Sequence, residues 1–319
     1  MKQIKIIKNR SDIGAGTRGS DMGIDAIEIA AINSGNNYFT RFPYCDVDTD
    51  NESVYNKVKA KFAKRIAFVQ EQCQRVSTAV QNSLQKDNFT IVLSGDHSSA
   101  LGTISGVKAN FPEQRLGVVW IDAHADLHSP FTTPSGNVHG MPLAAALGID
   151  NSENQTNEVP EETQKIWEQL KNIGTEGPKL RADDLVFFGV RDTEDAENKI
   201  MDKYGIRNYK VEEFRYRGPH QCLEEVHAQL SHCDVIYISF DVDSLDCDLV
   251  SMGTGTPVSK GFDPEEVKVI IKSLLDTKKV VCLEVTEVNP LLDTKGNKMA
   301  ETAFKVLDTV TSYYLENNI

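Results

Sequence analysis

The run Leu116-Gly-Val-Val-Trp-Ile121, with the five residues after it, Asp122-Ala123-His124-Ala125-Asp126, decides how this sequence folds. Its near-continuous apolarity, rich in β-branched and aromatic side chains, is that of a strand covered on both faces. An extended chain leaving such a strand points residues i, i+2 and i+4 to one side, so Asp122, His124 and Asp126 converge on a single cavity. Val235-Ile-Tyr-Ile-Ser-Phe240 repeats the pattern and runs into Asp241-Val242-Asp243, and Phe89-Thr-Ile-Val-Leu93 runs into Ser94-Gly95-Asp96-His97-Ser98. Strands buried on both faces imply a parallel sheet, and open parallel sheets place their sites at strand carboxyl ends. All three polar clusters fall there.

Around them, strand-like runs near 4–7, 184–189, 206–210 and 279–285 alternate with helical patterns near 25–31, 99–109, 161–172, 221–231, 263–276 and 299–316. Alternation of this kind predicts an α/β fold, a three-layer αβα sandwich on a mainly parallel sheet. Residues 53–86 read as a long amphipathic helical region or two helices, with Val54, Val58, Phe62, Ile66 and Val69 packing on the sheet. The polar segment 149–160 reads as an exposed loop. The metal-ligand motifs spread from 97 to 243, so one domain over 1–319 is the economical division of a 319-residue chain with 40% hydrophobic residues.

Taken singly, an Asp-x-Asp after a strand reads as a turn or helix cap, and a histidine there as a hydrogen-bonded structural residue. Together the three clusters set four aspartates and two histidines at three strand ends, where unneutralised carboxylates would repel and raise one another's pKa. Cations resolve that conflict. An oxygen-rich set with some imidazole suits Mn2+ better than structural zinc. Six side chains exceed the needs of one ion, which implies two metals sharing a bridging hydroxide.

With these residues in place the chain resembles the arginases of the ureohydrolase family. The signatures are Ser-Gly-Asp-His-Ser at 94–98, Asp-Ala-His-Ala-Asp at 122–126, Ser-Gly-Asn-Val-His-Gly-Met-Pro at 135–142, Ser-Phe-Asp-Val-Asp at 239–243 and Glu-Val-Asn-Pro at 287–290. The resemblance implies a manganese held by His97, Asp122, Asp126 and Asp241, and a second held by His124, Asp122, Asp241 and Asp243. It further implies that the shared hydroxide attacks a guanidinium carbon, that Asp126 carries the proton to the departing amine, that His139 shuttles protons, and that Glu287 pairs with the guanidinium. L-arginine, giving urea and L-ornithine, is the expected substrate.

The segment 133–139 resembles the arginase carboxylate-binding loop, with Thr133, Ser135 and Asn137 facing the amino-acid head. Thr256, in Gly253-Thr-Gly-Thr-Pro257, stands where the family's threonine lies near the guanidinium, although the spacing from Asp243 is one residue longer. Glu197 matches the second acidic position of the loop 189–197, whose first, at Glu194, contacts the substrate's α-amino group in the family. Two residues depart from the arginase pattern: His128 stands where asparagine is usual, and Glu194 where aspartate is usual. These departures keep other ureohydrolases open as alternatives, acting on agmatine, guanidinobutyrate or formiminoglutamate. A catalytically silent metal-binding protein is the other alternative, opposed by His139 and Glu287, which holding metal does not require.

Gly14-Ala-Gly16-Thr-Arg-Gly19 spells a dinucleotide-binding GxGxxG, but the polar Lys8–Asp12 intervenes after Ile4–Ile7 and no acidic residue closes a second strand at the proper distance. An ordinary glycine loop near the active-site rim is the better reading. A net charge of -13 argues against nucleic-acid or anionic-membrane partners. The six cysteines show no paired spacing, and Cys233 and Cys282 read as small core residues. Without a signal-like amino terminus or an apolar span, a cytoplasmic protein is expected. The resemblance adds a homo-oligomer, a trimer or hexamer.

Overall fold

The structure, a computed structural model, describes residues 3–317. Its strands are β1 (Ile4–Asn9), β2 (Tyr44–Asp46), β3 (Phe89–Ser94), β4 (Leu116–Ile121), β5 (Leu185–Phe188), β6 (Arg207–Tyr209), β7 (Val235–Asp241) and β8 (Val280–Thr286). They form one sheet in the order β2-β1-β3-β8-β7-β4-β5-β6, and every pairing is parallel.

Side-chain alternation divides the strands' apolar residues between two cores. Ile91, Val119, Ile238 and Leu283 face one core, closed by the helices Gly23–Asn33, Pro264–Leu275 and Lys298–Glu316. Val92, Val118, Tyr237 and Cys282 face the other, closed by Ile66–Leu84, Ala100–Asn110 and Glu161–Lys171. This is the three-layer αβα arrangement that the alternating sequence implies. No helix among the described residues is long and apolar enough to cross a membrane, and Cys233 and Cys282 are buried.

The clearest correction concerns residues 53–86. The helix begins only at Ile66, after Arg65 in a left-handed conformation (φ 58°), and Val58 is exposed. Lys57, Lys61 and Arg65 would stack like charges at i, i+4 in a continuous helix, which disfavours it. The preceding segment instead docks on another loop, where the Lys64 N–H donates to the Gly136 carbonyl at 2.8 Å. Loop 149–160 is also less free than its composition implies. Asn151 is buried, and the Asn157 side-chain amide donates to the carbonyls of Pro130 and Thr133. The edge strand β2 and the short helices Pro142–Leu147, Asp195–Tyr204 and Val211–Arg217 carry too few residues to register as a period.

The topology decides where chemistry can occur. The central strands β3, β8, β7 and β4 are neighbours, and their carboxyl ends present His97, Glu287, the pair Asp241 and Asp243, and the run Asp122–Asp126. Four distant segments of chain meet at one edge.

Candidate metal centre and active site

Local structure fixes each donor. Asp96 caps the turn that carries His97, accepting the Ser98 N–H at 2.8 Å and the Gly14 N–H at 2.9 Å. The glycine at 14 is required by this approach, because a Cβ there would lie 2.7 Å from the Asp96 carboxylate. Thus the GxGxxG stretch is a rim loop, and its Gly14 carbonyl accepts the Val138 and His139 N–H groups. Asp126 (φ 52°) and Glu287 (φ 66°) both occupy the left-handed region, where non-glycine residues are uncommon. Such strain gathers at sites whose surroundings over-determine the backbone.

His97 Nδ1 lies 3.0 Å from Asp122 Oδ2 and 3.1 Å from both Asp126 Oδ2 and Asp241 Oδ2. His124 Nδ1 lies 3.0 Å from Asp243 Oδ2 and 3.5 Å from Asp122 Oδ1. Asp122 thus faces both histidines. Burial, with Asp243 and Asp122 beside it, drives the Asp241 carboxyl well above the usual range. Burial and Asp122 push Asp126 up to about 6. Burial also works to raise Asp122, but His124 and His97 hold it below the usual carboxylate range.

This donor set fits divalent metal. His97 Nδ1, Asp122 Oδ2 and Asp126 Oδ2 are buried and lack hydrogen-bond partners, and one proton on Nδ1 cannot serve three carboxylates. Among these six ligand candidates two groupings converge closely enough to hold an ion: His97, Asp122 and Asp126, and Asp122, His124 and Asp243. Carboxylate oxygens with one imidazole in each are the donors expected of a hard or borderline cation.

Beside the ligands, Glu287 Oε1 accepts the His97 backbone N–H at 2.9 Å and faces His139 Nδ1 at 3.1 Å. Burial would lower the His139 imidazole, but Glu287 outweighs it and raises the pKa to about 9. The Thr256 hydroxyl donates to Asp243 Oδ2 at 3.1 Å. Against His124 Nε2, on the side away from the ligands, stands the exposed Asp192 at 3.6 Å.

A cavity of about 140 Å3 opens over this centre. It is lined by the six ligand candidates, His139, Glu287, His128, Ser135, Glu194, Glu197 and Thr256, together with Pro134 and Gly140. Thr133 and Asn137 do not line it. The Thr133 hydroxyl accepts the Gly136 N–H at 3.0 Å inside the turn, and Asn137 Oδ1 accepts Lys64 Nζ at 3.0 Å. At the rim, His128 Nε2 lies 2.9 Å from Glu194 Oε2, which holds the Glu194 carboxyl down to about 2. Glu197 accepts the Leu127 and Glu194 N–H groups, and burial pushes its pKa up to about 7. A larger cleft, about 700 Å3, lies between β2 and the helix Ile66–Leu84 and contains none of these side chains.

Sequence reasoning passed over Asp96, Asp192 and the Ser239 hydroxyl, which lies 2.7 Å from His97 Nε2. Two of the three stand inside or beside quoted motifs, and only the folded register shows what they touch.

The family profile of the arginases matches residues 2–312. The chain belongs to the arginase family. Similar family members include the arginase of Bacillus subtilis (strain 168), 32% identical over 97% of each chain, and that of Bacillus caldovelox, 33% identical over 97% of this chain and 98% of the other. Among solved arginase structures, that of Entamoeba histolytica in complex with L-ornithine is similar with a TM-score of 0.82, at 25% identity over 97% of each chain. A formimidoylglutamase structure from Bacillus subtilis, at 18% identity and a TM-score of 0.73, shares the fold.

Proposed function

We propose that the protein is a binuclear manganese amidinohydrolase that cleaves the guanidino group of L-arginine to urea and L-ornithine. The observation that carries this reading is the placement of Glu287. Its Oε1 is fixed by His97 N–H and His139 beside the buried ligand cluster, leaving the other oxygen for a cationic substrate group. A chain that only stored metal would not need a buried, strained glutamate there.

His97, Asp122, Asp126 and Asp241 would hold one ion, and His124, Asp122, Asp241 and Asp243 the other. Bound there, manganese supplies the positive charge that acidifies water enough to give hydroxide near neutral pH. Glu287 pairs with the guanidinium and orients its planar carbon toward the ligand cluster. Asp126 accepts the proton that water gives up and returns it to the departing amine as the carbon–nitrogen bond breaks; the other proton of that water also leaves the oxygen now on the carbon, so urea departs neutral and the guanidinium's positive charge departs on the ornithine side-chain ammonium. His139, partly open to solvent, exchanges protons with bulk water. Thr256 steadies Asp243 beside the guanidinium.

At the far end, Glu194 would read the α-amino group, which competes with the His128 contact on Glu194, and His128 would donate a hydrogen bond to the carboxylate. Glu197 anchors that loop, and Ser135 meets the carboxylate, with Thr133 and Asn137 shaping the turn behind it. We take residues 1–319 as one catalytic domain, since the site draws on strands from β3 to β8.

Urea release from L-arginine, agmatine and guanidinobutyrate, with formamide or ammonia release from formiminoglutamate, tests the assignment. L-Arginine should give the highest kcat/KM. A higher value for agmatine would overturn the substrate and leave the amidinohydrolase chemistry standing.

A further inference from the structure

The cavity over the candidate metal centre is lined by seven acidic side chains and by no lysine or arginine. Such a field draws a guanidinium in and repels a carboxylate, so a substrate that carries both needs positive charge at its far end. Ions on the floor would offset the charge there, but not at the rim, where Glu194 and Glu197 stand. The loop that faces the substrate's carboxylate offers neutral donors, Ser135 and Asn137. The charge has to come from behind it.

The segment 61–65, ahead of the helix Ile66–Leu84, stands in that place. The Lys64 N–H donates to the Gly136 carbonyl at 2.8 Å. Gly136 has φ +74°, and a Cβ on it would lie 2.0 Å from the Lys61 carbonyl oxygen, so only glycine admits this approach. Arg65, left-handed at φ 58°, turns to the glycine-rich rim loop, where its guanidinium donates to the carbonyls of Ile13 at 2.6 Å and Ala15 at 3.1 Å. The Gly14 carbonyl in turn accepts the Val138 and His139 N–H groups. Both rim loops are thereby fastened to one another and to this short segment.

The fastening carries a charge. Lys64 Nζ donates to Asn137 Oδ1 at 3.0 Å, and no carboxylate pairs with it among the described residues. An ammonium only donates, so Asn137 presents its oxygen to Lys64 and turns Nδ2 to Gly16, where a Cβ would lie 2.4 Å from that nitrogen. The Asn137 N–H donates to Ser135 Oγ at 3.1 Å, which leaves the Ser135 hydroxyl hydrogen to be given elsewhere in the cavity that Ser135 lines.

We propose that Lys64 is a specificity-determining residue, whose ammonium, seated on Asn137, supplies the rim with the positive charge that favours a guanidino substrate bearing a carboxylate over the same skeleton without one. Lys64 acts through its charge and at the end remote from the reacting carbon. This deepens the L-arginine reading given under the proposed function and rests on it.

In the full-length, Mn2+-loaded protein, Lys64→Met removes the charge at matched length and Lys64→Arg keeps it. Lys64→Met should raise KM for L-arginine about fivefold at low ionic strength, with kcat within about twofold of wild type. The gap in KM should narrow at about 0.5 M salt, which screens an exposed charge. The Ki of agmatine, which lacks the carboxylate, should not rise, and Lys64→Arg should bring KM back to within about twofold of wild type. Should Lys64→Met fail to fold, Lys64→Gln, which keeps a donor toward Asn137 and removes the charge, carries the same expectations. An unchanged KM would overturn the proposal. So would a KM that Lys64→Arg does not restore, or a Ki for agmatine that rises in step with KM, since both mark a merely structural role. Wild-type protein that prefers agmatine to L-arginine would instead overturn the substrate reading, and the role of Lys64 falls with it.

Discussion

The floor of the cavity and its rim are built on different principles. On the floor, His97 and Asp122 are buried, each is reached from several directions, and their spare polar atoms point inward without partners. At the rim, His128 and Glu194 satisfy one another, and Thr133 and Asn137 satisfy a turn and a lysine. The floor presents polar atoms that the described residues do not satisfy. The rim is at rest, and a ligand must compete with contacts already made. Binding strength should therefore concentrate on the floor, while discrimination at the rim is a difference between similar contacts.

The strongest test of this contrast is Asp241→Ala, which removes a carboxylate facing His97 from the deepest part of the floor. Urea release should fall below about a hundredth of wild type and metal content should drop, because losing a shared ligand exceeds the usual cost of losing a supporting residue. Two firmly held Mn2+ with near-normal turnover would break the distinction between floor and rim. Next, Glu287→Gln keeps shape but removes charge, so metal analysis should show both ions while kcat/KM for L-arginine falls about a hundredfold or more. Unchanged kcat/KM would mean that Glu287 does not meet the guanidinium.

At the rim the effects should be smaller and differently divided. His128→Asn and Glu194→Asp should change KM for L-arginine by about tenfold while kcat stays within about twofold, since they act remote from the reacting carbon. A fall in kcat with KM unchanged would move these residues into the chemistry.

The smallest effect is on stability, in metal-free protein. His139 has its pKa raised from 6.5 to about 9 in the folded state, so its contact with Glu287 stabilises fully below about pH 6.5 and fades as pH rises through about 9. The Tm advantage of wild type over His139→Asn, a few degrees, should be widest at pH 6 and close by pH 10. A gap that widens with pH would contradict the pairing.

The floor was legible because the strands 116–121 and 235–241 deliver Asp122 and Asp241 to one edge of the sheet. The extended spacing itself does not continue past them: the chain bends after Ile121, Asp126 is left-handed and Asp243 lies in a tight turn, so the neighbouring loops bring His124, Asp126 and Asp243 to the same place. The rim was not, because a loop's side chains point where neighbouring loops allow. Nothing in Thr133–Asn137 announces Lys64, seventy-three residues earlier in the chain. The segment before Ile66 departs from its helical apolar spacing for the same reason, since its like charges and its docking on Gly136 oppose a helix.

The strand order also governs when the site can exist. β8, the last strand in sequence, lies between β3 and β7, so the centre of the sheet stays open until residues 280–286 arrive. The contact between His97 and Glu287 spans 190 residues. Closing such non-local pairs is slow, and until then strand edges and crowded carboxylates remain uncovered. During refolding followed by pulsed hydrogen exchange, inner amides of β3 and β7 should gain protection together with β8, not before it. The candidate metal centre is thus expected to assemble late in folding, and a chain interrupted before β8 has neither a closed sheet nor the ligand candidates of β3 and β7 brought together.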